Sequence, residues 1–412
     1  MKISQNSLVK DIVTTYPHTF EVFLVNGFKY DSVESFINAV GNTTMLKTLL
    51  SIREINTDLF IYYLEERILK EESEKTFLLN DFTSSDKLDF YGNTICPLKF
   101  TFKDSLETIV KKNYEKTGEI LNCYIESGKG AISVCDESFI GRDIESFPNL
   151  LFSKEFNEYL SKDFRDEMMG KGYFKKQFHE SVNKEMLDAG ICDPKGEYGV
   201  YAVMADVFLV DMERLGDLPV PKTTKDLLNP IYKDNIVIFG KQKKEFSNAS
   251  FLYINKEFGE EGLKSLAHNV KSSLHGSQMS KVAGTKSIDG GAIYIVSWFF
   301  AKTCTKKNVK IIWPEDGAMT LPMYMLVKNN KEDRTEKIVD YITGEEFLRE
   351  CVKVNTPVID GKVDNCLPSG AKFKWLSWEY IRENDIASIA KKNEYIFMNH
   401  WREYHPNQEI FR

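Results

Sequence analysis

The sequence predicts a two-lobed α/β protein whose lobes are joined by two long extended segments, preceded by a separate all-helical module. Three observations carry that expectation. The run Gly196-Glu-Tyr-Gly-Val-Tyr-Ala-Val-Met-Ala-Asp-Val-Phe-Leu-Val-Asp211 has the Val, Tyr, Phe and Leu content of a long buried strand and stops where a polar segment begins. A second segment of the same kind, Trp313-Pro-Glu-Asp-Gly-Ala-Met-Thr-Leu-Pro-Met-Tyr-Met-Leu-Val-Lys328, follows much later. One strand leaving a lobe and one returning is the wiring of a clamp with a ligand cleft. The third observation is a change of pattern near residue 87, from helical spacing to alternating strands and helices.

At 412 residues the chain is too long for one ordinary core. Lys+Arg 54 against Asp+Glu 61 gives a net charge of -7, which offers no electrostatic footprint for nucleic acid or an anionic membrane. No segment has the roughly 18–20 uninterrupted apolar residues that cross a bilayer. The start, Met1-Lys-Ile-Ser-Gln-Asn-Ser-Leu-Val-Lys-Asp-Ile12, contains no secretory core. The expectation is therefore a cytoplasmic protein, or a periplasmic or extracellular one whose export signal was removed. The seven cysteines form no Cys-x-x-Cys pair, and the six histidines no His-x-x-x-His spacing. Neither a disulfide framework nor a preformed metal site is expected, and no cofactor motif is present.

Residues 1–75 read as a small helical domain. Leu8 and Ile12, Phe20, Phe23 and Leu24, Val33, Phe36, Ile37 and Val40, then Phe60, Tyr63, Leu64 and Ile68 recur at helical spacing. Residues 76–86 read as a linker. From Lys87, Leu88–Gly92 is a short strand, Thr101-x-x-Asp104 resembles a helix cap before Leu106, Ile109 and Val110, and Ile120–Ile125 and Ala131–Cys135 are further strands. In the second lobe Asn235–Gly240 is a strand, and Ser247–Ser250 can cap a helix entered by Phe251 and Leu252. Leu263, Leu266, Ala267, Val270 and Leu274 form the stripe of another helix. Gly291–Ser297 is a central strand, and Val309–Trp313 closes the lobe. The domain limits so read are 87–205 with 318–412 for lobe 1, and 206–317 for lobe 2. Helices continue to the C-terminus around Trp375, Trp378 and Trp401.

Four stretches carry a family resemblance: Tyr198-Gly-Val-Tyr-Ala-Val with Val207-Phe-Leu-Val-Asp211, Pro221-Lys-Thr-Thr-Lys-Asp-Leu-Leu228, Gly291-Ala-Ile-Tyr-Ile-Val-Ser-Trp-Phe-Phe-Ala301, and Trp313-Pro-Glu-Asp-Gly-Ala318. In these, residues 87–412 resemble solute-binding proteins of ABC transporters with the type II periplasmic-binding-protein fold, in the iron(III) and thiamine branch. The resemblance implies a small-molecule ligand held between lobes and an ABC-transporter permease as partner. Ferric-binding members carry adjacent tyrosines where this chain reads Trp298-Phe299-Phe300, so bare iron(III) is disfavoured. Residues 1–70, through Ile12-Val-x-x-Tyr-Pro-x-Thr-x-Glu-Val-Phe-Leu24 and Gly27-Phe28, are similar to the N-terminal domain of iron–sulfur-repair di-iron proteins. That family carries cysteines just after the Gly-Phe, whereas this chain has Lys29-Tyr-Asp31. A docking or dimerisation role is therefore expected for the module, with a protein docked on residues 1–75 as the partner.

In such a fold the ligand contacts come from strand-to-helix turns of both lobes and from the crossovers. Asn93, Thr94 and Cys96 follow the first strand, and Asp136 ends another. Asn248 and Ser250, then Ser277 and Gln278, stand at helix starts that suit an anionic group, against a bland reading as caps. Trp298 ends a buried strand and could stack on an aromatic or cationic ligand. Tyr198 and Tyr201 lie on the first crossover, and Glu315 and Asp316 on the second, where a tight acidic turn is the competing reading. The expected function is a non-enzymatic solute-binding protein closing on a small polar or aromatic ligand. The alternatives are a cytoplasmic sensor acting through the helical module, and an enzyme of thiamine-type metabolism using Cys96.

Overall fold

The computed structural model describes residues 3–26, 28, 30–53, 55–72, 87–125, 139, 141, 143–240, 249–330, 334–406 and 410. Its N-terminal module holds α1 (Val9–Thr15), α2 (Phe20–Val25), α3 (Val33–Val40), α4 (Leu46–Ser51) and α5 (Thr57–Glu72). Pro17 lacks the N–H that would continue α1, and a 3-10 turn follows it. Ser32 caps α3 by accepting from the Ser35 N–H, and the Ser35 hydroxyl accepts from Ser32 N–H in return, both at 3.1 Å. Helix α4 lies within the stretch read as helical, and its Leu46 and Leu50 stand one turn apart and are fully buried. They join Val9, Ile12, Phe23, Phe36, Phe60 and Leu64 in a core of the module's own.

The remainder builds a mixed sheet. In chain order it contains β1 (Phe90–Gly92), α6 (Cys96–Thr117), β2 (Cys123–Ile125), β3 (Leu150–Lys154), α7 (Lys162–Met168), α8 (Lys184–Asp188), β4 (Gly199–Asp211), α9 (Met212–Leu215) and β5 (Ile236–Phe239). There follow α10 (Ser250–Asn269), β6 (Val270–Leu274), α11 (Gly276–Val282), β7 (Ile293–Ser297), α12 (Trp298–Thr303), β8 (Val309–Ile312) and β9 (Ala318–Val327). The chain closes with α13 (Glu336–Thr343), α14 (Glu345–Lys353), β10 (Phe373–Lys374), α15 (Trp378–Glu383) and α16 (Ile386–Tyr404). The sheet order is β2-β1-β3-β9-β4-β7-β5-β6, so β4 and β9 lie at its centre with one group of parallel strands on each side. This is the two-lobed periplasmic-binding-protein fold, and β4 and β9 are the crossover strands.

Several local expectations are corrected. Helix α6 starts at Cys96, with Pro97 in its first turn, rather than behind Thr101; a proline there fixes φ at no hydrogen-bonding cost. Val270 and Leu274 lie on strand β6, not on a helix, because Val-Lys-Ser-Ser-Leu pairs in parallel with β5. Helix α10 covers both predicted helices and ends at Asn269, with non-helical backbone at Gly259 (φ 67°) between them. Trp375 sits just past β10, while Trp378 and Trp401 are helical. The predicted strand 131–135 and the linker 76–86 fall outside the described residues.

Register decides where the lobes meet. Strand β3 ends at Lys154, paired with Met323, which pairs in turn with Ala202. Strand β7 ends at Ser297, paired with Asp206. Both β3 and β7 are antiparallel to their central neighbour, so they run toward each other along the β4–β9 pair. Their carboxyl ends stand four β4 positions apart, roughly 13 Å at about 3.3 Å per residue. Residues 203–205 and 320–322 cross that gap.

Candidate functional site

The floor of the gap is visible in the burial of three adjacent strands. Along β4 every side chain is buried except Met204 and Asp206, which are two apart and share a face. Along β9 the partly exposed position is Leu321, paired with Met204; along β7 it is Ser297, paired with Asp206. These four side chains form one accessible patch on three otherwise buried strands. The opposite face, with Val203, Ala205, Val207 and Leu209, is packed into a continuous core that also takes in Tyr324, Trp375 and Trp401.

Asp206 is the chemical centre of the patch. It is flanked by strands of both lobes, and among the described residues no hydrogen-bond or ion-pair partner meets its carboxylate. Its carboxyl is pushed up to about 7, first by removal from water and then by the negative charge of Glu155. Glu155 follows the end of β3 with a left-handed backbone (φ 66°), an unusual conformation for a residue with a Cβ. Its N–H donates to the Pro322 carbonyl at 2.7 Å, and its carboxylate pairs with Lys154 at 2.5 Å. The gap thus has an acidic floor. Sequence reasoning misses both residues: Asp206 sits within an apolar run, although a lone aspartate inside a buried strand is the signal to follow.

The predicted site residues separate into three groups. Around the gap, Asn93 follows β1 partly buried, its N–H donating to Phe152 carbonyl at 2.7 Å. Ser277 and Gln278 begin α11 at the end of β6. There the Gln278 side chain accepts from His275 N–H at 3.1 Å, and the Ser277 hydroxyl meets His275 Nδ1 at 2.8 Å. Trp298 opens α12 directly after Ser297, its ring edge-on to Trp313 at 5.3 Å. Beside it lies a pocket of about 280 Å³ that Lys302, Ile311, Leu367 and Pro368 help to line. Ser250 is buried in the first turn of α10.

A second group is engaged in packing or turns. Tyr198 is buried, donates its hydroxyl to Tyr159 carbonyl at 2.8 Å and stacks on Trp378. Tyr201 stacks on Phe152 in the core under α6 and α14. The Tyr201 and Thr94 hydroxyls approach each other, but neither makes a well-formed hydrogen bond. Asp316 accepts from Thr224 N–H at 3.1 Å and pairs with Lys374 at 2.7 Å. Glu315 is exposed and lies 3.3 Å from Lys222. A third group, Asp136 and Asn248, lies outside the described residues, and so does the Cys96 side chain. Among the described residues no group of three or more His, Cys, Asp or Glu could hold a metal ion, and no helix is long and apolar enough to cross a membrane.

The far rim of the gap meets the N-terminal module. Phe299 is covered by Leu59 and Tyr62 of α5, and the Tyr63 hydroxyl donates to the Ser277 carbonyl at 3.4 Å. Burial pushes the Tyr63 phenol up to about 12.

Comparison with known proteins agrees with this fold. The family model described as "Bacterial extracellular solute-binding protein" matches residues 145–384, more than half of the chain. No curated protein matches. Among solved structures, the ferric binding protein from Campylobacter jejuni is similar with a TM-score of 0.52 at 12% identity, over 76% of this chain and 99% of that one. A structure described as a two-component system protein mediating signal transduction gives a TM-score of 0.52 at 14% identity, over 76% and 100%. At such identities the likeness speaks for the fold alone.

Proposed function

The chain belongs to the bacterial extracellular solute-binding protein family, and from that premise we propose that its cleft takes a small organic solute with a cationic nitrogen. The nitrogen would meet Asp206, and the solute's apolar or aromatic face would lie toward the Trp298 side. The observation that supports this most directly is Asp206: a partly buried carboxyl on the gap floor, unpaired among the described residues and raised to about 7. A buried charge is stable only when paired, and a bound cation would supply the partner.

Native mass spectrometry of freshly purified protein tests the proposal. A carried mass of a small amine or quaternary ammonium supports it; a carried anion or bare metal ion overturns it. Because Asp206 must ionise to form the pair, affinity for such a cation rises with pH through about 7. Between pH 8 and pH 6 it should weaken roughly tenfold.

On this reading lobe 1 spans 87–205 and 318–412, lobe 2 spans 206–317, and closure is a hinge motion about β4 and β9. Binding without turnover is the activity the family description supports. An ABC-type permease outside this chain is the partner that would collect the solute. The family's extracellular description favours that over the cytoplasmic location read from the sequence start. A second reading, a sensor that signals through residues 1–75, is favoured by the packing of α5 against the rim. The likeness of that module to the iron–sulfur-repair domain would then be one of docking shape, not of redox chemistry.

A further inference from the structure

We propose that α5 is a strap laid across the two lobes, so that opening of the cleft and seating of the N-terminal module are one coupled equilibrium. The proposal rests on the two-lobed cleft described above and adds a regulator to it. Phe60, Leu64 and Ile68 hold α5 in its own module. The neighbouring Leu59 and Tyr62 leave that core and reach the solute-binding fold, and Tyr63 packs against both clusters. On lobe 2, Tyr62 stands edge-on to Phe299 at 6.2 Å and to Phe300 at 5.8 Å. Lys281 Nζ lies 4.2 Å over the Tyr63 ring. On lobe 1, Val354 just beyond α14 packs into the same cluster, and α5 also runs against α6.

The lobe-2 landing is a single platform. A Cβ on Gly276 would stand 2.3 Å from the Phe300 ring, and the Ser280 hydroxyl donates to the Phe300 carbonyl. Helices α11 and α12 therefore move together, and both begin where β6 and β7 end at the gap. A hinge motion changes the distance between that platform and the α6–Val354 side. Packed interfaces are not continuously deformable, so α5 keeps both landings in only one lobe arrangement. By reciprocity, whatever pulls the module away shifts the lobes, and whatever shifts the lobes loosens the module.

The test is hydrogen exchange with mass spectrometry on the full chain, dialysed and with no solute added. Tyr62→Ala should speed amide exchange in 298–303 and also in 203–206, a hinge segment outside the cluster that α5 joins, each by roughly tenfold. Amides of α1 should stay protected, which shows that the module remains folded. Lys281→Ala, at the module's exposed contact, should move both segments the same way by a smaller factor without threatening any core. Faster exchange at 298–303 alone, with 203–206 unchanged in both variants, would leave simple docking and overturn the strap. Since no solute enters the measurement, its failure leaves the cleft reading standing, and a wrong cleft ligand leaves the strap standing.

Discussion

Two aspartates on one strand, five residues apart, meet opposite fates. Asp211 at the end of β4 is almost completely buried, with 1% of its surface exposed, and both its oxygens are used. It accepts from Glu213 N–H at 3.1 Å, Arg214 N–H at 3.2 Å and Gly284 N–H at 3.0 Å, with the Arg214 guanidinium 3.5 Å away. Asp206 is less buried yet has none of these, and the charge that shifts it is another carboxylate, Glu155. The first is a structural corner that starts α9 and ties it to Gly284, just beyond α11. The second is a carboxyl left open on the floor of the gap. Saturation of partners, rather than burial, separates the structural aspartate from the candidate binding one here.

The largest effect should follow from breaking the saturated corner. Asp211→Ala strips an acceptor from three N–H groups and leaves Arg214 without its carboxylate. A loss of about 3–5 kcal/mol in urea unfolding is expected, the range for opening a buried charged network. A change below about 1 kcal/mol would mean that water replaces the carboxylate easily, and that the contrast with Asp206 is overstated.

The unsaturated residue should show the opposite sign. The folded-state carboxyl of Asp206 lies near 7, above its ordinary value of 3.8. Its contribution to stability is thus fully present below about pH 4 and lost as pH rises through about 7. Asp206→Asn should remove that slope and stabilise the empty protein at pH 8 by roughly 1–3 kcal/mol, with the gain vanishing near pH 4. Thermal melts of both proteins across that window check the sign. The same substitution should weaken binding of the cationic solute, so that stability and function move apart at one atom group.

How much of this contrast is legible in the sequence depends on which signal each residue leaves. The crossovers are legible because an apolar run of that length, rich in Val, Tyr and Phe, suits a buried strand and little else; β4 and β9 fall inside the predicted segments, with polar ends trimmed. Strand β6 is not, because Val270 and Leu274 also fit helical spacing and only pairing with β5 decides between strand and helix. Trp298 and Ser277 can be placed at helix starts from the sequence, since helix starts after strands are read locally. Asp206 and Glu155 escape because their meaning arises from register: β3 and β7 must end opposite each other before a carboxyl between them becomes a floor. Tyr198 has the side chain of a ligand contact, but its hydroxyl is used by Tyr159, a residue far away in sequence. Tyr198→Phe should accordingly cost about 1 kcal/mol of stability and leave solute affinity unchanged, as isothermal titration with the captured solute can show.

The smallest expected effect extends the comparison to the acidic turn before β9. Asp316 is saturated in the manner of Asp211: Thr224 N–H and Lys374 hold it, and Lys374 also reaches Glu257 at 2.8 Å. Gly317 (φ 104°) permits the turn, since a Cβ there would stand 2.9 Å from the Phe373 backbone. Glu315 points the other way, with 64% of its side chain exposed and its partner Lys222 at 66%. An ion pair in water gains little, because solvent screens the attraction and two long side chains must be ordered to make it. Glu315→Gln should therefore shift urea stability by less than about 0.5 kcal/mol and leave solute affinity as it was. A clear loss of affinity would place Glu315 over a closed cleft, in a lobe arrangement tighter than this one. The acidic turn, and not Asp206 alone, would then be the cation's counter-charge.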